Sequence, residues 1–347
     1  MHRVKLAAIS CELPQTKIEN DDPVFDSLPE MSNRWWRFWG IEKRGFFRPD
    51  QGENEFVAAC AVVTRILDTN NIDPVDIDLL LCAASSPILT DSGNVLPGNG
   101  ARLYPRLSRV LKQSLNLENA LAWDSQMECA SFLLNVKLAA SFIQQGKAET
   151  AIVVCSEYVS NMLDPTARSA TIFADGCAAV LLTRSGDGSD LLSSSQHSNA
   201  EHYEIATGKW RRPERSEVDD RVKLYFTLLE EGQTKMQEFV PQNVPIAVDK
   251  ALEKAGLTSQ QIDHFVFHQP SPFLVYAWAS AVGCPEEKYL LTMEENGVMV
   301  SVSLPFTLYT ALRKEKIPAN GLVVMAGAAT GWGFAAQVWR MGDVVIC

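Results

Sequence analysis

The 347-residue chain is long enough for two ordinary domains or one large duplicated one. Its 46% hydrophobic and 21% charged residues suit a globular protein, and a net charge of −11 disfavours nucleic acid and anionic membranes as partners. No run of about 18 apolar residues is available to span a membrane, and the opening MHRVKLAAIS lacks the apolar region and cleavage site of a signal peptide.

Val4–Ile9 reads as a first strand. The aromatic cluster WWRFWGI holds Trp35, Trp36, Phe38 and Trp39, and serves equally well as core beneath a loop or as the wall of a substrate entrance. Asn54 can cap a helix through Phe56, Val57, Val63, Ile66 and Leu67. Ile77–Ala84 is a continuous apolar run, suited to a strand buried on both faces. Residues 88–118 are richer in Gly, Pro, Arg and Asn, and are expected to form loops and a short helix. Asp124-Ser125-Gln126 then leads into Cys129 and a segment rich in Ala, Leu, Phe and Val that ends near Gly146. That composition predicts a buried helix with Cys129 in its first turn. Unpaired N–H groups and the positive dipole end there favour a thiolate, although a free cysteine in an apolar helix more often only fills space.

Thr150–Ser156 is another buried strand, and Phe173–Thr183 enters a strand through Asp175-Gly176. Ser185–Asp190 is the predicted junction between two halves, 1–187 and 188–347. Lys209–Asp220 reads as a solvated polar excursion; a minority reading has Arg211, Arg212 and Arg215 meeting a phosphate-bearing substrate carrier. Pro245 to Gly256 predicts a helix with proline near its start and glycine past its end. Ile262–Phe267 is a strand, followed at once by His268. The eight cysteines are dispersed, with no CxxC pair and no Cys/His ligand spacing, so neither a disulfide framework nor a metal site is expected, and a reducing, cytoplasmic setting is.

An internal repeat organises these elements. Ile72–Pro87 aligns without gaps to Leu257–Pro272 at an offset of 185, and Ile152-Val153-Val154 falls over Leu322-Val323-Val324 at an offset of 170. Two similar βα halves imply two packed sheets, a pseudo-twofold axis and a site drawn from both halves. A histidine at a strand end and a cysteine at a helix start, one in each half, then become candidates for joint chemistry.

Four segments together are specific: Met127–Phe132 around the cysteine, Phe173–Ala178 (FADGCA), Phe267–Pro270 (FHQP) and Ala326–Gly333 (AGAATGWG). On these the chain resembles the thiolase superfamily, in its ketoacyl-ACP synthase III branch. The strings NDDPVF, DSQMECASFLLN and GAATGWGFAAQVW are similar to those of the catalytic subunits of alkylquinolone synthases, the PqsC/HmqC type. The resemblance implies an α/β thiolase-like fold with two duplicated βα halves in a layered αβαβα core. It implies that Cys129 takes an acyl group from acyl-CoA or an acyl carrier protein, with no cofactor beyond that thioester. The backbone N–H groups of Cys129 and Ala328 would hold the oxyanion, and His268 would stabilise charge or carry a proton. It further implies a heterodimer with a paralogous, non-catalytic PqsB/HmqB-type subunit.

Two departures stand out. Ordinary members of the branch carry Asn in a Gly-Asn-Thr-Ser motif, where this chain has Gly297-Val298-Met299-Val300. Val298 cannot donate a hydrogen bond, which points to a second substrate other than malonyl-ACP; the resemblance supplies 2-aminobenzoylacetate, a β-keto acid that loses CO2 more readily. The other departure is Glu128, directly before Cys129 where a small residue is usual; its carboxylate is expected to face away from the sulfur, since a facing charge would raise the thiol pKa. Competing readings are a fatty-acid initiation synthase, disfavoured by Val298, a scaffold subunit without activity, disfavoured by Cys129 and His268, and a papain-like protease, disfavoured by the duplication.

Overall fold

A computed structural model of the chain describes residues 2–86, 104–164, 166–201, 203–211 and 223–347. The first half runs β1 (Val4–Glu12), β2 (Lys17–Glu19), α1 (Asn33–Trp39), β3 (Lys43–Gly45), α2 (Glu55–Asn70), β4 (Leu79–Ala83), α3 (Leu107–Ser114), β5 (Leu121–Asp124), α4 (Ser131–Gln144), β6 (Thr150–Glu157) and β7 (Gly176–Arg184). The second runs β8 (Asp190–Ser198), β9 (Ala206–Arg211), β10 (Lys223–Leu228), α5 (Glu230–Ala255), β11 (His264–Phe267), α6 (Pro272–Ala281), α7 (Ser303–Arg313), β12 (Leu322–Ala329), β13 (Gly333–Arg340) and β14 (Val345–Ile346).

Two mixed sheets result. One has the order β14-β1-β7-β6-β4-β5 and the other β11-β12-β13-β8. Within each, the corresponding pairs match in sense: β1·β7 and β8·β13 are antiparallel, as are β6·β7 and β12·β13, while β4·β6 and β11·β12 are parallel. The strands β4, β6 and β11 are mostly apolar and almost entirely buried because both faces are covered. Helices α4 and α7 lie between the sheets, packing Phe132, Val136, Leu304 and Leu308 against Val153 and Met325. Helices α2 and α3 cover the outer face of the first sheet and α5 and α6 that of the second. The layers are therefore α, β, α, β, α.

The structure refines several sequence expectations. Asn54 does cap α2, its Oδ1 accepting from Phe56 N and Val57 N. Cys129 sits not in α4 itself but in a 3-10 turn, Glu128–Ala130, that feeds it. The helix read from Pro245 begins at Glu230 instead and carries Pro241 and Pro245 inside it. Part of the polar excursion after Gly208 is strand, since β9 pairs antiparallel with β10. The repeat offset at β6 and β12 is 172, from Thr150 to Leu322, rather than 170. Of the loop-rich stretch, residues 88–103 lie outside the described residues, as do Arg212 and Arg215; α3 supplies the short helix.

The 172 offset extends to the turns before the inner helices. Met127 N donates to Ser131 Oγ at 2.8 Å and Met299 N to Ser303 Oγ at 2.9 Å, so both helices open on the same serine-closed turn. Glu128 and Val300 occupy equivalent places in it with positive φ, 39° and 45°. The counterpart of Cys129 is thus Ser301.

Candidate active site

Cys129 reaches the core boundary because its turn abuts β12 and the equivalent turn of the second half, Val300–Val302. Its side chain opens onto two chambers. One, of about 280 Å³, is lined by Ser85, Glu128, Phe173, Ala206, Gly208, Leu224, Phe226 and Thr330 among others. The other, of about 50 Å³, is almost wholly apolar and includes Trp39, Met236, His268, Leu274, Val298 and Ala328. A wider cleft, about 700 Å³ along α3 and β5, does not include Cys129, and we give it no part in the chemistry.

His268 follows β11, and its N–H donates to Ala326 O at 2.8 Å, continuing the parallel pairing with β12. Gly327 allows that approach: a Cβ there would lie 2.7 Å from the Cβ of His268. Gln269 locks the turn that follows, donating to Phe267 O and Leu290 O while accepting from Thr292 N. The imidazole is 2% exposed, and its Nδ1 has no hydrogen-bond partner among the described residues. Burial pushes its pKa down to about 3, so the ring is neutral.

Val298 is fixed by backbone bonds to the segment entering β7: Val298 N donates to Ile172 O and Ala174 N to Val298 O. Gly297 before it has φ +68, and a Cβ there would lie within 3 Å of both Ala174 and Arg44. Val298 therefore presents an isopropyl group to the narrow chamber. Asn296 does not take over, because its amide is spent on Thr292 O and Lys17 Nζ.

Burial is the main force on the Cys129 thiol and raises its pKa well above the usual range; Glu128 and Glu157 push the same way. Hydrogen bonding by the backbone of Cys129 and of Thr330 opposes them without prevailing. The thiolate expected from the helix start is therefore not the resting form. Glu128 stays at the wall of the chamber that Cys129 shares, where its Oε2 accepts from Ser85 Oγ at 3.2 Å. Ala328, named for the oxyanion, lines the narrow chamber, and Thr330 was not anticipated at all.

Of the tryptophans, Trp39 lines the narrow chamber. Trp35, one turn away on the same face, lines a neighbouring cleft of about 220 Å³ and donates from Nε1 to Thr171 Oγ1. Trp36 belongs to none of these cavities. Arg211 ends β9, and Arg212 lies outside the described residues. The β9–β10 wall of the larger chamber was hidden in the sequence by its mixed polarity. Among the described residues no cluster of His, Cys, Asp and Glu could hold a metal ion, and no helix is long and apolar enough to cross a membrane.

Known proteins share this fold. Residues 123–200 match the family model described as 3-oxoacyl-[acyl-carrier-protein (ACP)] synthase III, and residues 252–341 match its C-terminal companion. The chain is 59% identical over 348 residues to the 2-heptyl-4(1H)-quinolone synthase subunit PqsC of Pseudomonas aeruginosa, covering 100% of both. Its fold superposes on 3-oxoacyl-[acyl-carrier-protein] synthase III of Aquifex aeolicus with a TM-score of 0.82 at 22% identity, covering 97% of this chain and 99% of that one. The priming β-ketosynthase of the R1128 polyketide pathway gives 0.82 at 22% identity, with 99% and 97% covered. The chain belongs to the 3-oxoacyl-[acyl-carrier-protein] synthase III family of the thiolase superfamily, and is an acyl-transferring condensing enzyme with a layered α/β fold.

Proposed function

We propose that the enzyme loads a medium-chain acyl group onto Cys129 and condenses it with 2-aminobenzoylacetate, with loss of CO2, to give a 2-alkyl-4-quinolone. The carrying observation is the convergence of Cys129, His268 and Val298 on one apolar chamber in which no side-chain amide stands where the family keeps its asparagine. A malonyl thioester needs two donors on its carbonyl as the enolate forms, and losing one such donor costs about 3–4 kcal/mol. An aryl β-keto acid delocalises that charge into its own ketone and needs less help.

In this reading Cys129 attacks the thioester of acyl-CoA or an acyl carrier protein. The N–H groups of Cys129 and Ala328 stabilise the oxyanion, and no cofactor takes part. Neutral His268 hydrogen-bonds the enolate oxygen formed as CO2 leaves. The enolate carbon then attacks the acyl-cysteine, the thiolate departs, and the aryl amine closes the ring on the new ketone with loss of water. The name of the Pseudomonas relative, a synthase subunit, supports a heterodimer with a paralogous, non-catalytic PqsB-type partner. We place the enzyme in the cytoplasm, in signalling or secondary metabolism. The test uses pre-acylated enzyme offered 2-aminobenzoylacetate or malonyl-ACP, following quinolone and CO2 respectively. Quinolone from the first and no turnover of the second is expected; efficient use of malonyl-ACP overturns the reading in favour of a fatty-acid initiation enzyme.

A further inference from the structure

Two strained turns meet at the centre of the molecule. The turn Glu128–Ala130 carries the nucleophile, and its equivalent, Val300–Val302, packs directly against it. In each, a residue with a large side chain takes positive φ: Glu128, at 39°, just before Cys129, and Val300, at 45°, just before Ser301. Glutamate adopts that conformation reluctantly and a β-branched valine more so. Backbone of this kind persists only where its surroundings fix it. Closure by Ser131 and Ser303 is one support, common to both turns.

Glu157 is the other. It ends β6, is fully buried, and lines neither of the chambers onto which Cys129 opens. Its Oε1 accepts from Ser301 N at 3.4 Å and from Ser301 Oγ, and its Oε2 accepts from Ser85 N at 2.8 Å. Ser85 Oγ in turn lies 3.2 Å from Glu157 Oε1 and 3.2 Å from Glu128 Oε2, and accepts from Gln126 Nε2 at 3.3 Å. One carboxyl thus reaches the second turn directly and the first through a single serine. Hydrogen bonds sheltered from water in this way are strong and rigidify the groups that share them. Ser301, the counterpart of Cys129, serves as a brace for the half that carries the thiol.

We propose that Glu157 is a positioning residue for acyl transfer: it ties Ser301 to Ser85 and Glu128, and so keeps the Cys129 N–H aimed at the oxyanion. This rests on the reading above in which Cys129 is the nucleophile and its N–H holds the oxyanion. It asks nothing of the second substrate and leaves the role of His268 unchanged. An oxyanion donor acts only within hydrogen-bond reach of the point where charge develops. Misplacement by about 1 Å costs about 100-fold in rate. Because Glu157 touches neither chamber, its loss acts on the transfer step and not on binding of the donor.

The test uses the full-length enzyme in the complex in which it is isolated. Single-turnover loading from octanoyl-CoA, followed by intact mass across donor concentrations, gives a maximal rate and a half-saturating concentration. Alkylation of Cys129 by iodoacetamide is the reference reaction, because displacement of iodide forms no oxyanion. Glu157→Ala should lower the maximal loading rate by about 100-fold. Its half-saturating concentration should stay within about threefold of wild type, and alkylation should be no slower. Glu157→Gln keeps an oxygen for Ser85 N and an amide for the serine hydroxyls, and should load within about fivefold of wild type. Ser301→Ala removes one arm and leaves the carboxyl in place; it should lose about tenfold in maximal rate, and it carries the test if Glu157→Ala does not fold. Loading by Ser301→Ala within about threefold of wild type overturns the proposal, as does a half-saturating concentration that rises while the maximal rate holds. A fall in alkylation that matches the fall in loading also overturns it, since that marks a general disordering of the site. Absence of acyl mass on wild-type Cys129 refutes the nucleophile reading as well; normal wild-type loading with undiminished loading in the variants refutes Glu157 alone.

Discussion

Replacing Cys129 by alanine removes the sulfur but little else, because the site is buried and alanine suits the start of a helix. The variant should gain no acyl mass from acyl-CoA while its melting temperature stays close to that of wild type; loading that persists on Cys82 or Cys155 would show that another thiol is the nucleophile. Val298 is the second informative side chain. Val298→Asn places an amide in a chamber whose lining is almost wholly apolar, at a cost of about 1–3 kcal/mol if it finds no partner. It should lower thermal stability and introduce a trace of CO2 release from malonyl-ACP, and it should not raise quinolone formation. Cys129 and His268 stood out in the sequence because each lies in a segment with a strong local signature, and Val298 because it takes the place of the asparagine usual in the family. Glu157 and Ser85 carried no such signature: a lone glutamate at a strand end or a serine in a loop gains meaning only from what the chain brings beside it.

At the scale of elements, apolar runs were read well and irregular ones poorly. β4, β6 and β11 announced themselves because strands covered on both faces need no polar positions. α5 did not, since Pro241 and Pro245 each lack an N–H and argue for a helix end at about 3 kcal/mol apiece. Packing of Val240, Val244, Val248 and Leu252 into the core around the second sheet outweighs that local cost. The end of β6 yields a pH prediction. Burial raises the Glu157 carboxyl from its ordinary value to about 8, against the hydrogen bonds from Ser301 and Ser85. The folded state therefore holds a proton that the unfolded chain has lost, and stability falls as pH rises from about 4.5 through 8. Asp175, raised to about 7, acts in the same sense. Each group contributes a slope of at most about 1.4 kcal/mol per pH unit. Glu157→Gln should flatten the profile of denaturant midpoint against pH over that window; an unchanged slope would mean that Glu157 is ionised in the fold.

The whole molecule is a duplication, and that was its most legible property, because the repeated frame of polar turn, apolar strand and Ser-Pro survives where residue identity does not. What the repeat could not show is how its halves diverged around the axis. Cys129 and Ser301 occupy equivalent turns, yet one opens to the substrate chambers and the other donates to Glu157. The site belongs to both halves, so it depends on their docking. The first sheet ends on β5, whose outer edge carries no strand among the described residues and whose Leu121 is 54% exposed. An open edge with an exposed apolar side chain invites pairing with another sheet. If a paralogous subunit covers this face, the chain expressed alone should self-associate or aggregate, and co-expression with that subunit should give a stable complex that loads acyl groups and forms quinolone. Size-exclusion chromatography with light scattering, run on both preparations, reads the outcome. A lone chain that is monodisperse, fully loaded by acyl-CoA and as active as the co-expressed preparation would remove the partner from the mechanism.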